Sequence, residues 1–106
     1  MGNRISIAFK NGNETSITLF SHWDGMGLIE AVKDYVSVME RTRPEGSMLM
    51  PLDRREPNTV MLDFITYHLK FPVSSNYYLG KDEHDGDNSD NGHWIFDLQI
   101  GDFIYD

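Results

Sequence analysis

The amino-acid sequence predicts an α+β protein with a mainly antiparallel sheet and two helices, in the order β-β-α-α-β-β-β. Three observations carry that expectation. Segments of alternating apolar and polar residues open the chain and close it, and between them Met26 to Glu40 repeats with a helical period. Strands that cluster at the two ends of a chain, with helices between them, favour an antiparallel sheet with its helices on one face.

The opening strand runs from Arg4 to Phe9, with Ile5, Ile7 and Phe9 on one side. A second is expected from Thr15 to Phe20, with Ile17 and Leu19 on one side. Asn11-Gly12 between them suits a tight hairpin turn, because these residues accept the positive φ that such turns need. Ser21 to Gly27 then forms a corner, where Ser21 or Asp24 can accept hydrogen bonds from the free amides at the start of a helix. Trp23 is expected to plug the core there.

In the first helix Leu28, Val32, Tyr35, Val36 and Met39 share one face, while Glu30, Lys33, Ser37 and Glu40 point away. At about 100° per residue the apolar side chains span an arc of roughly 100°. Burying them contributes roughly 1.5–3 kcal/mol each before chain entropy is charged. Pro44-Glu45-Gly46 ends this helix, and the 47–56 connection carries no readable pattern. Pro57 suits the first position of a second helix. Val60, Met61, Phe64, Ile65, Tyr67 and His68 make its broad face, and Phe71-Pro72 stops it. Strands follow at Ser74 to Leu79 and His93 to Gln99, with a short closing strand at Phe103 to Tyr105. An acidic loop, Lys81 to Gly92, separates the first two.

A chain of 106 residues without a repeat reads as a single domain, 1–106. An apolar content of 40% supports a packed core, and the lack of cysteine excludes disulfides and thiolate chemistry. No apolar run reaches the roughly 18 residues of a membrane span, and no signal-peptide pattern opens the chain, so a cytoplasmic protein is expected. Charge is uneven. In residues 1–55 seven basic and seven acidic side chains cancel, while in 56–106 two basic face ten acidic, so that half carries the whole −8. Nucleic acid is therefore disfavoured as a partner. The exception is Arg41, Arg43, Arg54 and Arg55, which read as solvated loop charge or as an anion-binding patch.

Three motifs come in a fixed order: Met1-Gly2-Asn3-Arg4 before a strand, the corner His22-Trp23-Asp24-Gly25, and the acidic Asp87-Asn88-Ser89-Asp90-Asn91-Gly92 before a β segment. Together they resemble a family of small prokaryotic and phage-associated proteins that open with MGNR, turn at an HW-x-G corner and carry a late acidic DNG loop. In this chain Asp24 and Met26 stand where that pattern shows Asn and Gly. The resemblance implies a prokaryotic or viral setting and a small accessory role. It brings no activity, and hence no site residues.

Chemistry-bearing residues gather in the acidic loop. Asp87-x-Ser89-x-Asn91-Gly92 matches the front of a calcium loop, with oxygens at alternate positions and then a glycine. The closing carboxylate is missing, since Leu98 stands where Glu belongs. The competing reading is an acidic turn with no ion and no other cofactor. His84 and His93 flank the loop and, with Asp85 or Asp87, offer nitrogen and oxygen donors to a divalent ion or a small hydrolytic site. Ser21, His22 and Asp24 are too close in sequence to orient one another as a nucleophilic triad. Met1-Gly2-x-x-x-Ser6 matches an acylation motif, but Ser6 equally suits the outward face of a strand.

The leading expectation is a non-enzymatic protein-interaction module. It would present Asp82, Glu83, Asp85 and Asp87 to a partner protein with a basic surface. The alternative is divalent-metal binding or hydrolysis centred on residues 82–93.

Overall fold

The computed structural model describes residues 3–38, 56–66 and 76–104. The strands are β1 (Ile5–Asn11), β2 (Glu14–Thr15), β3 (Thr18–Ser21), β4 (Tyr77–Gly80), β5 (His93–Asp97) and β6 (Asp102–Ile104). The helices α1 (Gly27–Val38) and α2 (Pro57–Phe64) come between β3 and β4. The sheet order is β4-β3-β1-β5-β6, with β2 paired to β1. All pairs are antiparallel except β1 with β5, so the α+β class and the mainly antiparallel sheet are as expected. Met39, Tyr67, His68, the four clustered arginines, the acylation residues Met1 and Gly2, and the connection before Glu56 lie outside the described residues.

The hairpin closes at Gly12-Asn13, with Asn11 opposite Glu14. The second strand does not run straight. Lys10 pairs with Thr15, but Ile7 pairs with Leu19, so one extra residue is accommodated between them. Ser16 makes this possible. Its N–H donates to the Phe9 carbonyl at 2.8 Å, and its hydroxyl accepts the Phe9 N–H at 2.9 Å in place of a ladder carbonyl. The extra residue takes Ile17 off the face of Leu19. Ile17 is 37% exposed, and its N–H donates to Asn58 of α2 at 2.8 Å.

The core lies between α1, α2 and the sheet face bearing Ile5, Ile7, Phe9, Leu19 and Phe96. Leu28, Val32 and Tyr35 of α1 are fully buried, and Val36 packs at the margin, as the helical period demands. Ile29 is also buried. Val60, Met61 and Phe64 are the buried face of α2. The rings of Phe9, Tyr35 and Phe64 pack edge to face, with centroids 5.4–6.4 Å apart. The Tyr35 hydroxyl donates to the Asp63 carboxylate at 2.5 Å and ties the two helices together.

The opposite face of the sheet is covered as well. β4 and β5 are both parallel to β1 but lie on either side of the β3–β1 pair, so the chain between them must cross the sheet. Residues 81–92 make that crossing. Ser6 is therefore fully buried, contrary to its expected place on a wet face. Its hydroxyl accepts from Asn88 Nδ2 at 2.9 Å and is hydrogen-bonded to His93 Nδ1 at 2.7 Å. Gly86 lies so close to the stacked rings of Phe20 and Tyr78 that an added Cβ would meet ring atoms at 2.7–2.8 Å and the Tyr78 hydroxyl at 2.6 Å.

Candidate functional site: an aromatic corner beside the acidic crossover

The corner after β3 is built by residues remote in sequence. Asn76, just ahead of β4, holds it through one side chain. Its Oδ1 accepts the N–H groups of His22 and Trp23 at 3.0 and 2.9 Å and the Ser21 hydroxyl at 3.2 Å. Its Nδ2 donates to Asp24 Oδ1 at 3.1 Å. The Tyr77 hydroxyl donates to the other Asp24 oxygen. Burial, followed by the bond to Asp24 and its negative charge, pushes the Tyr77 phenol well above the ordinary tyrosine range, with Asn76 acting in the opposite sense.

Ser21 is buried, and its hydroxyl accepts the Asp24 N–H at 3.1 Å, so it closes the corner instead of capping the helix. Asp24 likewise spends its carboxylate on Asn76 and Tyr77 rather than on helix amides. The first helical amides bond to backbone carbonyls of Asp24, Gly25 and Met26.

The opening segment completes the corner. Asn3 donates to the His22 carbonyl and accepts from Gly25 N–H, each at 2.9 Å. Gly25 has φ of +54°, and a Cβ there would stand 2.9 Å from that of Asn3. Arg4 then binds the acidic crossover. Its carbonyl accepts Asn91 N–H at 2.9 Å and Asn91 Nδ2 at 3.3 Å, and its own N–H donates to Asp90 at 3.0 Å. Its guanidinium lies 3.3 Å from Asp87 and 3.8 Å from Asp90. The three motif segments thus meet at one place, around Asn3 and Arg4.

This frame carries an aromatic row. Phe20 stacks on Tyr78 at 4.9 Å, Tyr78 lies 5.1 Å from His22, and His22 lies 5.8 Å from Trp23. The row ends in solvent. Trp23, expected in the core, is 58% exposed, with its N–H held by Asn76 and its neighbours His22 and Gly25 held by Asn3. Met26 beside it is 45% exposed. At the inner end the Tyr78 hydroxyl accepts the Asp87 N–H at 2.9 Å, joining the row to the acidic crossover.

The crossover carboxylates are exposed or half-buried, and they brace their own turns. Asp82 accepts His84 N–H at 2.9 Å, Asp85 accepts Lys81 N–H at 3.0 Å, and Asp87 accepts Ser89 N–H at 3.0 Å. The Ser89 N–H, then the Ser89 side chain, hold the Asp87 carboxyl below the usual carboxylate range against desolvation, with Arg4 and His22 adding to them. Of the calcium-loop residues, Asp87 therefore faces Arg4 and Ser89, while Asn91 turns its amide to the Arg4 carbonyl. Asp82, Glu83, His84 and His93 do line one depression, between the crossover and the sheet. Among the described residues no group of three or more His, Asp or Glu is placed to hold a metal ion. No helix among them is long and apolar enough to cross a membrane.

Sequence reasoning missed Asn76, Tyr77 and Arg4 as builders of the corner. Their partners lie 52–55 positions away for Asn76 and Tyr77, and 86–87 positions away for Arg4 with Asp90 and Asn91, so no local pattern marks them. No known family model, curated protein or solved structure matches the chain.

Proposed function

We propose that this is a non-enzymatic binding module, acting in the cytoplasm of a prokaryotic host, that docks a basic segment of a partner protein. The surface is formed by Trp23, Met26 and the crossover carboxylates Asp82, Glu83, Asp85 and Asp87. The observation that supports it is Trp23, more than half exposed on a backbone tied down by Asn3 and Asn76. A large aromatic on a rigid mount gives contact area with little ordering cost, and tryptophan is enriched at the energetic centres of interfaces. Lysine and arginine of a partner gain cation–π attraction over the ring and long-range attraction from the carboxylates. A phage-associated setting fits a small accessory protein whose partner is a host component.

The test compares wild-type protein, Trp23→Ala, and a variant with Asp82→Asn, Glu83→Gln, Asp85→Asn and Asp87→Asn. Each is titrated with a lysine- and arginine-rich synthetic peptide, and each is used to retain proteins from a host lysate. Binding should weaken with salt, and Trp23→Ala should lose about tenfold or more in affinity, the size of a hot-spot residue. Proteins retained by wild type should be lost by both variants. Equal binding by all three would refute the reading.

A further inference from the structure

The depression beside the crossover is a separate feature from the aromatic corner. It holds about 380 Å³ between the sheet and the segment Lys81 to His84, and Thr18, His93 and Ile95 line it from the strands. That volume suits a small metabolite and is too small for a folded partner.

Thr18 is the informative residue. It lies two positions before Phe20 on β3 and pairs with Gly80, so it faces the crossover side of the sheet. It is 1% exposed, and its hydroxyl has no hydrogen-bond partner among the described residues. Leaving a buried hydroxyl unpaired costs stability, and valine would fill the same volume without that cost. Because Thr18 lines the depression, a polar group seated there would give that hydroxyl a partner. The neighbouring charges say which kind. Lys81 makes no ion pair among the described residues, although Asp82 and Glu83 directly follow it. Asp82 turns one oxygen to the His84 N–H, and Lys81, Asp82 and Glu83 all border the same opening.

We infer that the depression formed by Thr18, Ile95, His93 and the Lys81–Glu83 segment is a binding site for a small zwitterion of the free amino-acid class. Lys81 takes the ligand carboxylate, Asp82 and Glu83 take its ammonium, and the Thr18 hydroxyl gains the partner it lacks. The site shares Asp82 and Glu83 with the docking surface proposed above, but neither Trp23 nor Met26 borders it, so Thr18→Val and Trp23→Ala test the two separately.

The experiment follows amide chemical shifts of the full-length protein during titration with the free L-amino acids. Propionate serves as a carboxylate-only probe, ethylamine as an ammonium-only probe and glucose as a neutral polyol. At least one amino acid should give saturable shifts at residues 80–84 and 93–95, with propionate, ethylamine and glucose each weaker by about tenfold or more. Thr18→Val should lower that affinity by about tenfold while melting at the same or a higher temperature than wild type. The inference is overturned if no amino acid moves those amides, or if a control probe binds as well as the zwitterion. It is equally overturned if Thr18→Val binds like wild type, or melts lower, which would mean that its hydroxyl is already satisfied.

Discussion

Tyr77 and Asp24 are where one proton decides most. The phenol donates to a carboxylate in a half-buried corner, so its pKa in the folded state lies above its value in the unfolded chain. A raised folded pKa means that the native state holds the proton longer. The stabilisation is complete below the unfolded pKa of about 10 and is lost as pH rises beyond it. Phenolate absorbance should therefore place Tyr77 among the tyrosines that stay protonated until the protein unfolds in alkali, and Tyr77→Phe should reduce the amplitude of that late step by one tyrosine. The same change leaves an Asp24 oxygen without its donor, at a cost of about 1–2 kcal/mol given partial exposure. Asp87 has the opposite sign. Its folded pKa is depressed, so its contribution is present above the unfolded value of about 3.9 and disappears as pH falls through the folded one. Arg4→Met should raise the Asp87 pKa only part of the way in a carboxyl NMR titration, because the Ser89 N–H is the larger cause and remains.

The crossover behaves as a structural element although it contains neither helix nor strand. Asn88 on Ser6, Gly86 on the Phe20–Tyr78 stack and Asn91 on Arg4 fasten it along its length. Gly86→Ala would drive a methyl group into rigid ring atoms and should destabilise the fold by about 1–3 kcal/mol. Hydrogen exchange should then accelerate across 81–92 while α1 stays protected; unchanged exchange there would mean that the segment is not packed on the sheet. What was legible in the sequence, and what was not, divides along this element. The faces of α1 and α2 and the Asn-Gly hairpin were readable because their signals lie within one or two turns of chain. The bulge at Ser16 was not, since it depends on a hydroxyl replacing a ladder carbonyl opposite Phe9. Nor was burial of Ser6, which alternates correctly for a wet face and is bonded from above by Asn88, 82 positions away. Residue type and the place at the strand–helix corner both point Trp23 to the core, while Asn76 holds its backbone from across the fold.

At the scale of the whole molecule, one charge distribution acts on two equilibria with opposite sign. The formal charge is −8, and Asp82, Glu83, Asp85, Asp87, Asp90, Asp97 and Asp102 follow one another along the crossover, β5 and β6. Arg4 answers part of this through two exposed pairs, and solvent screening leaves exposed pairs of that kind little net stabilisation. Self-repulsion therefore outweighs the local attraction, and screening it should stabilise the fold. Raising ionic strength from about 0.01 M to 0.15 M shortens the Debye length from about 30 Å to about 8 Å, enough to uncouple carboxylates on neighbouring elements. The melting temperature should rise over that range. The same screening removes the attraction for a basic partner, so the association rate of the lysine- and arginine-rich peptide should fall. Stability and association thus move apart with one variable, and the variant neutralised at Asp82, Glu83, Asp85 and Asp87 should flatten both responses. A melting temperature that instead falls with salt would assign the net balance to the Arg4 pairs. In that case Arg4→Met, not carboxylate neutralisation, would be the change that abolishes the salt dependence.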